Sequence, residues 1–131
     1  MKTSGLQKPH APKRILVAED ELLVAHTIRM ALTVDGHHVE LAEDGEQALA
    51  MFQAGKYDLV ITDFRMQKMD GLELAEAIKK RSPATPIILV TAYVEALQAS
   101  MGQVSNIDLL LGKPFSVMDL QAALVKIFAA Q

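Results

Sequence analysis

The chain has 131 residues, half of them hydrophobic and 22% charged, with no cysteine and a formal net charge of −3. These figures describe one soluble domain able to bury a core, and they exclude a disulfide scaffold and a thiolate metal site. They give no overall basic footprint for nucleic acid, and no apolar stretch approaches the ~20 residues a membrane span requires.

Residues 1–12 carry Lys2 and Lys8 without a hydrophobic centre, so they read as a flexible polar tail rather than a signal peptide, with residues 13–131 as the domain. A cytoplasmic location is expected. The first strand is Arg14 to Ala18, followed by a helix from near Glu21 to Val34 with Val24, Ile28, Ala31 and Leu32 on one face. Asp35-Gly36 ends that helix with a left-handed glycine cap, and His38 to Leu41 forms a brief second strand. Asp44, with Gln47 three residues on, caps a helix that buries Ala48, Leu49 and Phe52 and stops at Gly55. Tyr57 to Asp63 is the third strand, and Phe64 to Met69 is a loop. Asp70-Gly71-Leu72-Glu73 caps a helix that turns Leu74, Ala75 and Ile78 inward and ends before Ser82-Pro83. Pro86 opens the fourth strand, and a weaker helix runs from Val94 to Met101, interrupted by Gly102. Ile107 to Leu111 is the fifth strand, and Ser116 with Asp119 caps a last helix striped with Leu120, Leu124, Ile127 and Phe128.

Five strand–helix units predict an α/β fold: a doubly wound, five-stranded parallel sheet between two helical layers. Ligands of such sheets lie beyond the carboxyl ends of the strands. The strands here run into Glu19-Asp20, Asp63, Thr91 and Lys113, so three carboxylates, a hydroxyl and a lysine converge on one edge. Crowded carboxylates call for a counter-cation, and Glu19, Asp20 and Asp63 suit a hard divalent ion such as Mg²⁺ or Mn²⁺. A carboxylate can also act as nucleophile toward phosphorus, with cations and a hydroxyl stabilising the transferring oxygens. That is a metal and phosphoryl site.

These motifs, in this order, resemble the receiver domains of bacterial two-component response regulators, chemotaxis receivers among them. The resemblance runs from Lys13 to Ala130. Glu19-Asp20 is similar to the acidic pair, and Asp63 with Phe64-Arg65-Met66 and Met69-Asp70-Gly71 to the phosphoacceptor and its loop. Thr91-Ala92 is similar to the hydroxyl step and Lys113-Pro114-Phe115 to the lysine and its proline. The resemblance implies a flavodoxin-like strand order 2-1-3-4-5 and a phosphoryl group passed to Asp63 from a sensor histidine kinase or a histidine phosphotransfer protein. It implies Mg²⁺ held by Asp20, Asp63 and the main-chain carbonyl of Arg65, with Glu19 acting through water, and Thr91 and Lys113 on the phosphoryl oxygens. The Lys113-Pro114 bond is expected to be cis.

The chain departs from the family in two places. Gln67-Lys68 stand where receivers commonly have Pro-Gly, so a looser or differently shaped loop is expected. Leu110 stands three residues before Lys113, where the family places a switching Tyr or Phe; Asn106-Ile107 replace the usual Gly-Ala. Phosphorylation with an atypical readout through the fourth helix, fifth strand and fifth helix is therefore expected. Arg65 and Tyr93, each two residues beyond a site residue, are expected to screen water and lengthen the phosphoryl lifetime relative to Arg65→Ala or Tyr93→Ala.

Plainer readings stand beside these. An acid pair after a strand is often only a helix start, and a lone strand-end threonine usually bonds its own backbone. His26, His37 and His38 read as surface or helix-end residues without a role, and the methionines as filler. Because the chain stops with the fifth helix, a stand-alone phospho-switch is expected rather than an enzyme or DNA-binding protein, one that supports its own phosphoryl transfer and autodephosphorylation and engages a downstream protein; the sequence leaves homodimer formation open. The alternatives are a receiver-like interaction module and a Mg²⁺-dependent phosphohydrolase with an aspartate nucleophile. The second would want an acid two residues beyond Asp63, and that position is Arg65.

Overall fold

The computed structural model describes residues 11–99 and 105–130. Its elements alternate without exception: β1 (Arg14–Ala18), α1 (Leu22–Val34), β2 (His38–Ala42), α2 (Gly45–Met51), β3 (Leu59–Asp63), α3 (Gly71–Arg81), β4 (Ile87–Thr91), α4 (Val94–Ala99), β5 (Leu109–Gly112) and α5 (Val117–Ala129). All strand pairings are parallel and the sheet order is β2-β1-β3-β4-β5, the doubly wound flavodoxin-like arrangement expected from the sequence. The proposed tail lies mainly outside the described residues, as do Met101 and Gly102.

Alternation along each strand sorts the core into two layers. Ile15, Val17, Leu59, Ile61, Ile88 and Val90 pack with Ile28 and Leu32 of α1 and Leu120, Leu124 and Ile127 of α5. Leu16, Ala18, Val60 and Ile87 face the opposite side, against Phe52 and against Leu74, Ala75 and Ile78 of α3. Leu89 and Leu97 form a smaller group with partly buried Phe64, Leu72, Ile107 and Leu110 packed on it. The central strands β3 and β4 are buried throughout, which is why their sequences read as unbroken apolar runs.

The anticipated caps are present. Asp70 accepts from Glu73 N while Glu73 accepts from Asp70 N, and Ser116 and Asp119 repeat the reciprocal pair on α5. Asp44 accepts from Gln47 N, but the Gln47 amide oxygen accepts from Glu43 N rather than from the cap residue itself. On α1, Ala25 is fully buried while Val24 and Ala31 are only partly so.

Two strands begin later than their hydrophobic runs, for one reason. Asp58 N donates to Arg14 O while Asp58 Oδ2 accepts from Arg14 N; Asp108 N donates to Ile87 O while Asp108 Oδ2 accepts from Ile87 N. In each case an aspartate side chain takes the place of a ladder carbonyl, and regular pairing starts one residue on. His37 corrects the expected surface placement: it is 5% exposed, and its Nδ1 accepts the main-chain N–H of Lys13 at 3.0 Å.

Candidate functional site

The C-terminal ends of β1, β3, β4 and β5 bring together Glu19, Asp20, Asp63, Thr91 and Lys113. The register requires it: Ala18 pairs with Thr62, Asp63 with Val90, and Thr91 with Gly112, so each polar residue emerges beside the next. Carboxylate oxygens of Glu19, Asp20 and Asp63 lie within 4.8 Å of one another. Lys113 Nζ stands 3.0 Å from Asp63 Oδ1, 3.6 Å from Glu19 Oε1 and 3.9 Å from Glu21 Oε1. The Lys113–Pro114 peptide is cis.

One cation therefore serves a crowd of acids in a mostly buried place. Burial pushes the Glu19 carboxyl up to about 7, and the charges of Asp63 and Asp20 add to this against the Glu21 N–H and Lys113. Burial likewise raises Asp63, although Lys113 opposes it. Lys113 itself is raised: burial would lower it, but Asp63, Glu19 and Glu21 more than reverse that. Glu19 spends one oxygen on the main-chain N–H of Glu21 at 3.0 Å, while its other oxygen is buried with no hydrogen-bond partner among the described residues. A buried carboxylate oxygen with no hydrogen bond, only the Lys113 charge at 3.6 Å, beside two further carboxylates is a donor set that a hard divalent cation fits.

Thr91 is buried, and its Oγ1 accepts from Tyr93 N at 2.9 Å. That bond fills a lone pair, and among the described residues the hydroxyl donates to nothing, which leaves its proton available. Asp63 is fixed from behind. Phe64 N donates to Val90 O at 3.0 Å, Thr62 Oγ1 donates to Asp63 O at 2.9 Å, and Gly71 packs directly on that carbonyl.

The loop after β3 is tied down rather than loose. Lys68, where a glycine is usual, takes φ 73°, and its ammonium lies 3.6 Å from Asp44 of the α2 cap. Met69 N donates to Gln67 O and Gly71 N to Phe64 O. A Cβ on Gly45 would come within 2.3 Å of Met69 O, so the start of α2 presses on this loop. Leu110 is partly buried against the Leu89–Leu97 group, which Phe64, Leu72 and Ile107 also pack on.

Reading the sequence did not find the close approaches at Gly45 and Gly71, the Asp44–Lys68 pair or Glu21 beside Lys113, since a close backbone approach or a third acid near Lys113 leaves no mark in periodicity. Neither did it pair Arg65 with Tyr93. The Arg65 guanidinium lies 5.1 Å from the Tyr93 ring centre and 5.6 Å from that of Phe64, spanning the loops after β3 and β4.

Comparison with known proteins follows the same lines. A family model described as the response regulator receiver domain matches residues 15–125. Response regulator MprA of Mycolicibacterium vanbaalenii is 34% identical over 111 residues, covering 85% of this chain and 48% of that protein. The chain spans about half the length of the curated relatives it matches. Chemotaxis response regulator CheY4 of Vibrio cholerae matches with a TM-score of 0.81 at 27% identity, over 89% of this chain and 99% of that one. Response regulator TrrA of Thermotoga maritima, solved in complex with Mg(2+)-BeF, matches with a TM-score of 0.79 at 36% identity, over 88% and 98%.

Proposed function

The chain belongs to the response regulator receiver domain family of two-component systems, and on that premise we propose that Asp63 accepts a phosphoryl group and thereby switches protein contacts. The observation that carries this is the Lys113 ammonium 3.0 Å from Asp63 Oδ1, inside a three-carboxylate cluster whose Glu19 has a buried oxygen without a hydrogen bond among the described residues.

The donor is a phosphohistidine on a sensor histidine kinase or a histidine phosphotransfer protein. An Asp63 oxygen attacks phosphorus, the histidine N–P bond breaks, and the freed imidazole nitrogen takes a proton from solvent. Lys113, already beside the attacking carboxylate, follows the charge onto a phosphoryl oxygen, and the free Thr91 proton donates to another. Mg²⁺ or Mn²⁺ would be held by Asp20, Asp63 and the main-chain carbonyl of Arg65, with Glu19 through water. Bound there, it neutralises charge on the transferring oxygens. Water attack on the aspartyl phosphate resets the site. This is a signalling switch, with a downstream protein engaging the α4-β5-α5 side.

Incubating the protein with acetyl phosphate and Mg²⁺ and reading its intact mass tests the proposal. The wild type should gain one phosphoryl group and Asp63→Asn none. An unchanged wild-type mass would leave a receiver-like module that binds partners without phosphate.

A further inference from the structure

We infer that Arg65 is a charge-driven latch: its guanidinium rests on Tyr93 in the unphosphorylated protein and moves to the phosphoryl group on Asp63, releasing Tyr93 at the start of α4. The inference rests on the phosphoacceptor reading of Asp63 and adds how that event leaves the site.

The resting half of the latch is in the structure. Arg65 is exposed, makes no ion pair among the described residues, and lies over the rings of Tyr93 and Phe64 at 5.1 and 5.6 Å. Tyr93 is half exposed, so the contact is a cation–π pair in water-accessible surroundings, at the weak end of such pairs. Lys68, the other basic residue of this loop, is paired with Asp44.

The charge balance supplies the drive. Converting the Asp63 carboxylate to an aspartyl phosphate adds about one negative charge and three acceptor oxygens. Lys113 is already shared among Asp63, Glu19 and Glu21. Arg65 is two residues from Asp63 and carries a planar donor fork suited to phosphate oxygens. A charge-assisted hydrogen bond to a phosphoryl group exceeds a solvent-exposed ring contact, so the guanidinium changes partner.

The consequence falls on α4. Tyr93 immediately precedes α4, and its N–H is the one held by the Thr91 oxygen. Losing the Arg65 contact removes the bridge between the loops after β3 and β4 at the moment Thr91 engages the phosphoryl group. Leu110 has neither ring nor hydroxyl to register that movement, whereas Tyr93 has both. In this chain the aromatic reporter sits two residues beyond the threonine.

The chain has two tyrosines, which makes the test direct. Both are labelled as 3-fluorotyrosine in wild type and Arg65→Gln, and ¹⁹F spectra are recorded before and after adding Mg²⁺ and beryllofluoride as a stable phosphoryl mimic. Buried Tyr57, packed on Phe52, is the internal reference. In the wild type the Tyr93 signal should move toward where Arg65→Gln already has it without the mimic, and in Arg65→Gln it should move much less, by the Thr91 engagement alone. Arg65→Gln should also shorten the phosphoryl lifetime ~2–5-fold, the loss of one exposed charge-assisted contact. A wild-type Tyr93 signal that does not move, or one that moves equally in Arg65→Gln, overturns the latch while phosphoryl uptake by mass leaves the phosphoacceptor reading standing. Absence of uptake overturns both.

Discussion

Gly71→Ala tests whether the position of Asp63 is set by packing from behind. A Cβ on Gly71 would sit 2.3 Å from Asp63 O, 2.6 Å from Leu89 Cδ1 and 3.1 Å from Asp63 C. An ordinary carbon–oxygen contact is ~3.3 Å, so either α3 or the end of β3 must shift by about 1 Å. The nearest obstacle is backbone in a fully buried strand, which cannot swing aside as a side-chain tip would. Overpacking of this kind costs ~1–3 kcal/mol. Stretching the Gly71 N–H bond to Phe64 O, now 2.8 Å, adds ~0.5–1 kcal/mol. Alanine's better helix propensity returns at most ~1 kcal/mol at this first helical position. The net loss is ~2 kcal/mol, read as a lower urea midpoint with unchanged slope. The second readout is chemical: with Asp63 displaced relative to Lys113, phosphoryl uptake from acetyl phosphate should slow by at least ~10-fold. Gly55→Ala is the control. Its Cβ meets nothing within 4 Å, but its φ is +84°, so it should lose ~1–2 kcal/mol from strain alone and keep the wild-type uptake rate. If Gly71→Ala lies within ~0.5 kcal/mol of wild type and takes up phosphoryl at the same rate, the close approach does not position Asp63.

Substitutions at three further positions probe the supports of the sheet and loop. Lys68→Gly should be more stable than Lys68→Ala by ~1 kcal/mol in urea titrations, because both lose the Asp44 pair and only glycine is unstrained at φ 73°; the opposite order would show that the residue is not left-handed. Asp108→Ala should cost ~1–2 kcal/mol, since Asp108 Oδ2 accepts from both Lys79 Nζ and Ile87 N at 2.8 Å, and a loss below ~0.5 kcal/mol would deny that clamp a role at the head of β5. Asp58 is the pH probe. Burial would raise its carboxyl, but the Arg14 N–H and guanidinium, with Lys13, hold it below the usual value. A depressed folded-state pKa contributes stability above the unfolded value near ~4 and loses it as pH falls through the folded one. Asp58→Asn should therefore trail wild type by a constant amount below ~1 kcal/mol, the pair being partly exposed, from pH 8 to about pH 5, and the gap should close below about pH 4. A gap that widens on acidification would reverse the sign.

The sequence carried the strand ends further than the loops between them. Glu19, Asp20, Asp63, Thr91 and Lys113 were legible because parallel strands buried on both faces leave apolar runs, and the polar residue that ends each run must fall on one edge. The caps at Asp70 and Ser116 were legible from local spacing. Lengths were less so: β3 and β5 start at Leu59 and Leu109 because Asp58 and Asp108 use side chains where a ladder would use carbonyls, and periodicity cannot register that. His37 is polar and is nonetheless buried, its ring nitrogen taking the main-chain N–H of Lys13 just before β1. Gln67-Lys68 suggested a loose loop; contacts remote in sequence, from Asp44 and Gly45, hold it.

Those same contacts divide the site into a part that is held and a part that is free to respond. Behind Asp63, Val90 O, the Thr62 hydroxyl and Gly71 fix the main chain to the buried centre of the sheet. The loop beyond it is pinned at Lys68 and Met69, again on the α2 side. On the α4 side the link across the mouth of the site is the exposed Arg65–Tyr93 contact, together with apolar packing of Phe64 and Leu110 on Leu89 and Leu97. On the reading proposed above, a charge placed on Asp63 would meet rigid backbone in one direction and a weak, charge-sensitive bridge in the other. Among the described residues the fewest strong bonds oppose movement toward α4, so the proposed response would run that way whether or not residue 110 is aromatic.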